Sequence, residues 1–455
     1  MGRLFGTDGV RGVANSELTP ELAFSLGRAG AYALTKENNH RPQIIVGMDT
    51  RVSSGMLEAA LAAGMCSMGA KVFHAGVIPT PGIAYLVRKY QLDAGVVISA
   101  SHNPMQDNGI KFFNREGYKL PDQIEEEIER IIESNLENLP RPVGDQVGIR
   151  VNAEKSLEDY VSFLKSTFID EENPALNLEG LKIAVDCANG ATYKAAPLVL
   201  RQLGADVHPI FFEPDGVNIN RGCGSTHIGP LASFVKERAM DIGIALDGDG
   251  DRVACVDENG MILDGDQIMS ICGWSMKKRG KLKKDTIVAT VMSNMGFFML
   301  EKEKGIHIEK TAVGDRYVLE RMLELGCNLG GEQSGHVIFL EHNTTGDGLL
   351  TALQLLKNMR EKDVPLSKLN AVMEVLPQSL RNARVSPEKK ESYLENEEIR
   401  LEIEALEAKY SGSGRLLIRP SGTEALIRVM IEGRNPQEID ADAKRMVQIL
   451  EERLG

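Results

Sequence analysis

Cysteines are few in this chain of 455 residues, and they lie far apart. The six stand at positions 66, 187, 223, 255, 272 and 327, without a CxxC pair and without a histidine at metal-ligand spacing. This scatter argues against a disulfide framework and against a zinc site. It predicts ordinary thiols in hydrophobic cores.

The sequence also lacks a hydrophobic run long enough to span a bilayer. The opening MGRLFGTDGVRG has no apolar stretch of a secretory leader, and Gly6 stands where a myristoylation motif requires Ser or Thr. A cytoplasmic location is therefore expected.

Basic residues are outnumbered, with 52 Lys and Arg against 65 Asp and Glu, and the formal net charge is −13. Nucleic acids and anionic membranes attract proteins through clustered Lys and Arg, so neither partner is expected. The longest basic run, 277–284, is interpreted as a solvated turn. An anionic small molecule must therefore be met by a local basic pocket.

A unit of strand, helix, second strand and third strand occurs three times along the chain. This alternation predicts α/β domains with largely parallel sheets, whose ligands lie beyond the carboxyl ends of the strands. The third strands run into polar loops that are expected to face one crevice. The first strands lie at 43–49, 182–190 and 286–294, the second at 68–76, 203–211 and 304–312, and the third at 93–104, 241–252 and 327–336.

The three repeats and a differently patterned tail predict four domains. An acidic amphipathic helix over 122–139 closes the first, and 140–155 is interpreted as a linker. The tail is expected to hold a helix over 388–409, two strands around the turn PSGTE, and a last helix from 436 capped by Asn435. The predicted fold is three related α/β domains at 1–150, 151–255 and 256–370, with a smaller α+β domain at 371–455.

The densest cluster of charge is DGDGDR, in which Asp247, Asp249 and Asp251 follow an apolar strand. Packed carboxylates repel one another unless neutralised, and hard oxygen ligands suit Mg²⁺ or Ca²⁺. A divalent cation explains the cluster better than a solvated acidic turn does. An EF-hand loop would need Gly where Arg252 stands, and a dehalogenase-type phosphatase motif would begin two residues late.

The motif SASHNP places Ser101 between an apolar strand and the turn-forming Asn103-Pro104. No GxSxG elbow surrounds this serine, so a hydrolase nucleophile is disfavoured. Taken alone, such a serine is more often a turn or cap residue. Its place in the loop equivalent to the acidic loop favours a functional role.

Two further loops carry groups that suit phosphate and sugar. RPSGTEALIR combines guanidinium, hydroxyl and turn N–H donors without a Walker lysine, although an ordinary hairpin turn stays an alternative. GEQSGH offers groups for sugar hydroxyls or an amine, and its histidine is equally well explained as structural. The candidates are Arg419, Ser421, Gly422, Thr423 and Arg428 in the first loop and Glu332, Ser334 and His336 in the second.

Together, FGTDGVRG at 5–12, SASHNP, DGDGDR, GEQSG and RPSGTE resemble the α-D-phosphohexomutase superfamily, in that order and over essentially the whole chain. Within it, GTDGVRG, SASHNP and GEQSG are most similar to the bacterial members that act on glucosamine phosphates. The resemblance implies four domains around a central cleft, the first three of related topology. It also implies a phosphoserine at Ser101.

The resemblance assigns further roles by position. Asp247, Asp249 and Asp251 match the family's magnesium ligands, with an oxygen of the phosphoserine completing the site. Related hexose mutases place His where Asp315 stands, so this segment departs from the pattern. The remaining matches are the sugar-contacting Glu332 and Ser334, the phosphate-gripping Arg419, Ser421, Gly422, Thr423 and Arg428, the polar Lys111 and His102 beside the serine, and the basic Arg11 at the cleft wall.

The implied reaction interconverts glucosamine 6-phosphate and glucosamine 1-phosphate through glucosamine 1,6-bisphosphate, in UDP-N-acetylglucosamine and peptidoglycan precursor synthesis. Lys111 would accept the hydroxyl proton if surrounding cations depressed its pKa. The rivals are a phosphomannomutase or phosphoglucomutase of the same superfamily, a phosphatase working through Asp249, and a non-catalytic sugar-phosphate sensor. The oligomeric state is left open, with a homodimer as the assembly considered.

Overall fold

The computed structural model describes residues 4–6, 8–36, 40–134, 136–169, 173–421 and 425–455. The chain divides into two compact units, one of residues 1–292 and 306–372, the other of 293–305 and 373–455. The first unit contains three α/β sheets and the second a small antiparallel sheet with helices. The predicted fold class, three α/β domains followed by a smaller α+β domain, is confirmed.

The first sheet has the strand order β1-β2-β6-β5-β3-β4-β7. Strand β3 pairs in parallel with β4 and β5, and its Ile44, Ile45 and Val46 are fully buried. A continuous apolar run is what a parallel strand covered on both faces requires. The elements are β1 (Phe5–Gly6), β2 (Gly9–Val13), α1 (Pro20–Thr35), β3 (Gln43–Met48), α2 (Ser54–Ser67), β4 (Lys71–Val77), α3 (Thr80–Lys89), β5 (Ala94–Ile98), β6 (Asp107–Asn114), α4 (Asp122–Ser134) and β7 (Ile149–Asn152).

The sequence predicted a linker over 140–155, but this segment contains a strand. Strand β7 lies within it and pairs in parallel with β4, from Lys71 opposite Ile149 to His74 opposite Asn152. The strand is short and three of its four residues are exposed, and its alternation of apolar and polar residues covers only Ile149 to Asn152, which is too little to indicate a strand by itself. The predicted helix before it also ends earlier than expected, at Ser134.

The second sheet has the order β12-β11-β10-β8-β9. Strands β8, β9 and β10 are parallel, whereas β10 and β11 form an antiparallel hairpin in which Leu246 pairs with Val253. The acidic loop 247–252 is the turn of this hairpin. The elements are α5 (Ser156–Phe168), β8 (Lys182–Asp186), α6 (Ala195–Gln202), β9 (Asp206–Ile210), α7 (Gly229–Arg238), β10 (Ile242–Leu246), β11 (Val253–Asp257) and β12 (Ile262–Leu263).

The third sheet repeats this plan in the order β14-β13-β15-β16. Strands β15 and β16 form a hairpin in which Gly331 pairs with Val337, so GEQSGH is also a hairpin loop. The three repeats predicted from the sequence are present. The elements are α8 (Gly265–Lys278), β13 (Thr286–Thr290), α9 (Met295–Lys304), β14 (His307–Thr311), α10 (Asp315–Leu325), β15 (Leu329–Gly331), β16 (Val337–Phe339), α11 (Gly348–Lys362) and α12 (Leu366–Asn370), of which α9 belongs to the second compact unit.

The second unit is built on an antiparallel sheet in the order β17-β19-β18. The predicted helix over 388–409 begins later, at Glu397, because the Asn396 side chain caps it by accepting from the amides of Glu398 and Ile399. Asn435 caps the last helix as expected. The elements are β17 (Gln378–Arg384), α13 (Glu397–Tyr410), β18 (Arg415–Pro420), β19 (Leu426–Glu432) and α14 (Pro436–Leu454).

The cysteines are unpaired thiols, and all but the half-buried Cys66 are buried, which agrees with the sequence-based expectation. Within the described ranges, no helix has the length and apolar character needed to cross a membrane.

Candidate active site

Ser101 lies just beyond strand β5 and is completely buried. Its backbone has a φ of 51°, in the left-handed region that few non-glycine residues occupy. Its amide donates to Oγ of Ser99 at 3.0 Å. Its own Oγ donates to Oδ2 of Asp247 at 2.6 Å, so the serine hydroxyl lies against the acidic loop.

The three aspartates of the acidic loop converge as predicted. One carboxylate oxygen from each of Asp247, Asp249 and Asp251 lies within 4.8 Å of the others, and all three residues are buried. The loop is short because it closes a hairpin, and Gly250 has a φ of 73° that suits glycine. Strands rather than helices flank it, which excludes the EF-hand alternative.

These carboxylates fit a divalent cation. Within the described part of the chain, Oδ1 of Asp249 and Oδ1 of Asp251 are buried and accept no hydrogen bond. Burial, followed by repulsion from Asp251 and Asp249, raises the pKa of Asp247 well above its ordinary value. Unsatisfied hard oxygens that repel one another are the donor set that Mg²⁺ prefers.

Lys111 is buried between the acidic loop and the chain start. Its Nζ lies 3.0 Å from Oδ2 of Asp249 and 2.8 Å from Oδ2 of Asp8. Burial alone would lower the pKa of Lys111, but the carboxylates of Asp249 and Asp8 outweigh it and raise that pKa. The condition for Lys111 to act as a base, a depressed pKa, is therefore not met in this structure, in which Lys111 is an ammonium group.

The ion pairs continue from Asp8 into the third domain. Nζ of Lys119 lies 2.6 Å from Oδ1 of Asp8 and 2.5 Å from Oδ2 of Asp315. Nε2 of His336 is 3.6 Å from Asp315, and its Nδ1 is 3.5 Å from Asp251. Six ion pairs thus connect seven side chains, and the two end members, Asp249 and Asp251, lie side by side in the acidic loop. We call this set the charge ring: Asp249, Lys111, Asp8, Lys119, Asp315, His336 and Asp251.

Arg11 and His102, the less specific candidates, lie at the margin of this cluster. Arg11 forms an ion pair with Asp8. The exposed His102 contacts the guanidinium of Arg252, whose backbone amide donates to Oδ1 of Asp247 at 3.1 Å. Arg11 therefore contacts the charge ring directly, whereas His102 is connected to the acidic cluster through Arg252.

The three candidates of the GEQSGH loop differ in exposure. Ser334 is exposed, whereas Glu332 is half-buried and accepts from the amide of Gly314 at 3.2 Å. His336 is buried, and its Nε2 lies 3.0 Å from the amide nitrogen of Gly346. Burial alone would lower the pKa of His336, but the carboxylates of Asp251 and Asp315 outweigh it and raise that pKa, as expected of a member of the charge ring.

The candidates for gripping phosphate lie in the second compact unit. Arg419 on β18 pairs directly with Arg428 on β19, and burial followed by repulsion from Arg428 lowers the pKa of Arg419. Ser421 is buried, and its amide donates to the carbonyl of Leu426 at 2.9 Å. Gly422 and Thr423 lie outside the described residues.

Several residues at the site were missed in the sequence. Asp8 and Arg252 stand inside motifs that were singled out, so adjacency alone could have suggested them. Thr80, which donates to Oδ2 of Asp249 at 2.8 Å, begins a helix that carries no motif. Lys119 has no local signal either, because its two carboxylate partners come from distant parts of the chain.

Comparisons with known proteins agree with this architecture. Family models for phosphoglucomutase/phosphomannomutase match nearly the whole chain, so the chain belongs to this family of phosphohexose-isomerising phosphotransferases. The matches are alpha/beta/alpha domain I at residues 2–139, domain II at 158–260, domain III at 264–376, and the C-terminal domain at 380–449.

One branch of the family resembles the chain over its whole length. A protein of Ruminiclostridium cellulolyticum named phosphoglucosamine mutase is 61% identical over 455 residues, which is 100% of both chains. A crystal structure of a family protein from Burkholderia thailandensis has a TM-score of 0.81 at 23% identity, covering 100% of this chain and 98% of that one. The Aspergillus fumigatus N-acetylphosphoglucosamine mutase, solved in complex with GlcNAc-6P and magnesium, has a TM-score of 0.69 at 16% identity, covering 99% and 95%.

Proposed function

We propose that this chain is a phosphoglucosamine mutase, which interconverts glucosamine 6-phosphate and glucosamine 1-phosphate. The observation that carries the proposal is the 2.6 Å hydrogen bond from Ser101 to Asp247, because it sets a hydroxyl against a cation-binding cluster. The name shared by full-length relatives supports the choice of sugar. The product would feed UDP-N-acetylglucosamine and peptidoglycan precursor synthesis, and we propose a cytoplasmic location.

Ser101 is the proposed carrier of the phosphoryl group. The P–O bond to its Oγ breaks, a P–O bond to the free sugar hydroxyl forms, and the hydroxyl proton ends on the serine oxygen. Glucosamine 1,6-bisphosphate then reorients, and its other phosphate returns to Ser101 by the reverse steps. Lys111, an ammonium group, is proposed to give a proton to the serine oxygen as its P–O bond breaks and to regain one from the sugar hydroxyl. His102 and Arg11 are the other proposed catalytic residues.

Asp247, Asp249 and Asp251 would hold one Mg²⁺, together with an oxygen of the phosphoserine. The cation would offset negative charge on the transferring oxygens. The magnesium in the Aspergillus fumigatus complex supports this choice of metal. The side chains themselves keep water out, since each of the three aspartates and Ser101 is buried.

Two loops are proposed to hold the substrate. Glu332, Ser334 and His336 would form the sugar-recognition loop, with only Ser334 exposed. Arg419 and Arg428 would grip the phosphate that does not react, because they lie opposite each other on antiparallel strands and guanidinium groups donate charge-assisted hydrogen bonds to phosphate oxygens. Ser421, Gly422 and Thr423 would complete that grip.

The test combines intact-mass and phosphopeptide analysis with assays of three hexose phosphates. We expect phosphate on Ser101 and the highest kcat/KM with glucosamine 6-phosphate. Phosphate found only on an aspartate, or isomerisation without any phosphoserine, would overturn the serine mechanism.

A phosphomannomutase or phosphoglucomutase is the second candidate, because the matching family models carry those two names. The same substrate panel separates them. A phosphatase acting through Asp249 has less support, since the matching family models and the full-length relatives carry the names of mutases. A homodimer stays a prediction.

A further inference from the structure

The backbone of Ser101 is strained. Its φ of 51° is sterically unfavourable for a residue with a Cβ, and such a conformation persists only when the surroundings impose it. The inference below rests on the proposed function, in which Ser101 carries the phosphoryl group. It concerns what imposes the strain.

Two buried side chains hold the carbonyl oxygens of Ser101 and Asn103. Nη2 of Arg51 donates to the carbonyl of Ser101 at 3.1 Å and to that of Asn103 at 2.6 Å. Nδ2 of Asn220 donates to the same two carbonyls, at 2.8 and 2.9 Å. We call this pair, Arg51 and Asn220, the carbonyl clamp.

Each half of the clamp is itself fixed. Asp49 forms an ion pair with Nη1 of Arg51 and accepts from the Arg51 amide at 2.9 Å. Asn220 lies in the left-handed region with a φ of 59°, which Asn tolerates well, and its amide donates to the carbonyl of Ala188 at 2.9 Å. The clamp is therefore rigid on both sides of the serine.

The clamp joins the first α/β domain to the second. Arg51 follows β3 of the first sheet, whereas Asn220 follows β9 of the second. At the same place a Cβ added to Gly248 would lie 2.5 Å from the carbonyl oxygen of Ser101, so glycine is needed for this close approach. The conformation of the serine thus depends on both domains.

We propose that Arg51 and Asn220 are positioning residues that hold Ser101 in its strained conformation, so that Oγ stays on the acidic cluster while it gives and takes back the phosphoryl group. Relaxation of φ would swing the carbonyl away from the clamp and move Oγ away from Asp247. This role requires no contact between either side chain and the substrate.

The first experiment tests whether Asn220 acts by donating hydrogen bonds or by filling space. Asn220→Gly removes the amide but keeps the positive φ, and Asn220→Asp keeps the shape but replaces the donor with an acceptor. We expect both variants to lower kcat by roughly tenfold or more with little change in KM, Asn220→Asp at least as much as Asn220→Gly. Asn218→Gly, in the same loop and outside the clamp, is the matched control and should keep the wild-type kcat.

Wild-type kcat in Asn220→Asp would overturn the clamp, because packing alone would then suffice. A roughly tenfold rise in KM with unchanged kcat would overturn the clamp as well, since that result would place Asn220 in substrate binding.

The second experiment measures the backbone strain at Ser101 through thermal stability, so it does not depend on enzyme activity. Ser101→Gly and Ser101→Ala both lack the hydroxyl, but only glycine accepts the left-handed φ freely. We expect the Tm of Ser101→Gly to exceed that of Ser101→Ala by roughly 1 to 2 °C, and the gap to shrink in an Asn220→Gly background. The absence of a gap, or a gap unaffected by Asn220→Gly, would overturn the clamp. If both Ser101 variants still isomerise the sugar, the proposed function fails while the Tm gap still tests the clamp.

Discussion

Oγ of Ser101 and Oδ2 of Asp247 share a hydrogen bond although 146 positions separate them in the chain. Phosphorylation of the serine removes the donated proton and brings a dianion beside three buried carboxylates. The phosphorylated protein should therefore depend on a cation more than the unphosphorylated protein does.

Ser101→Ala should abolish turnover and leave the fold intact, because the hydroxyl is a chemical carrier and the residue packs through its backbone. The measurement is a mutase assay primed with the bisphosphate, alongside circular dichroism. Near-normal isomerisation by the variant would rule out the serine carrier.

Chelation by EDTA should stop the reaction, and Mg²⁺ should restore it. Asp249→Asn should weaken metal binding, since it removes one formal charge from the ligand set. The matched control is Asp206→Asn, an exposed carboxylate on β9. Calorimetric titration of Mg²⁺ into each phosphorylated protein measures the affinity, and activity that ignores chelation would contradict the metal role.

Stability should depend on pH through Asp186. Burial raises the pKa of Asp186 to about 6, although the amides of Gly224 and Ala188 donate to it. Between roughly pH 4 and 6 the folded protein holds a proton that the unfolded chain has lost, so the free energy of unfolding falls as the pH rises.

Asp186→Asn removes this dependence. Relative to wild type, the variant should gain about 2 to 3 kcal/mol of unfolding free energy between about pH 4 and 7, whatever constant offset the substitution adds. Denaturant unfolding at several pH values measures it, with Asp206→Asn as the exposed control. Parallel pH profiles for wild type and Asp186→Asn would refute the assignment.

Arg419→Ala should lower kcat/KM by roughly ten- to a hundred-fold, because each charge-assisted contact to phosphate contributes about 1.5–3 kcal/mol. Free glucosamine 1,6-bisphosphate should also accumulate during turnover, since the same grip retains the reorienting intermediate. Arg384→Ala, an exposed arginine on the same sheet, is the control. Unchanged efficiency together with unchanged leakage would mean that PSGTE is only a hairpin turn.

The repeated α/β plan could be predicted because the strands of each repeat are apolar runs that are followed by polar loops. The acidic cluster could be predicted because its three carboxylates are close in sequence. Strand β7 could not, since its pairing with β4 comes from the backbone and its side chains are mostly exposed.

The electrostatics of Lys111 also lay beyond the sequence. Its two carboxylate partners are Asp8, which precedes it in the chain, and Asp249, which lies far beyond it. Only the fold brings the three side chains together. Asn220 is similar, because nothing in its local sequence indicates that its amide reaches the carbonyl of Ser101.

The charge ring should constrain which substitutions related sequences can accept at positions 8, 119 and 315. Lys119 shares its ammonium between Asp8 and Asp315, so a substitution at one of the three positions leaves an unbalanced charge on the other two. Descendants should therefore exchange these positions together rather than singly. A relative that carries histidine in place of Asp315 is expected to have lost the positive charge of Lys119 as well, and aligned sequences should record that covariation.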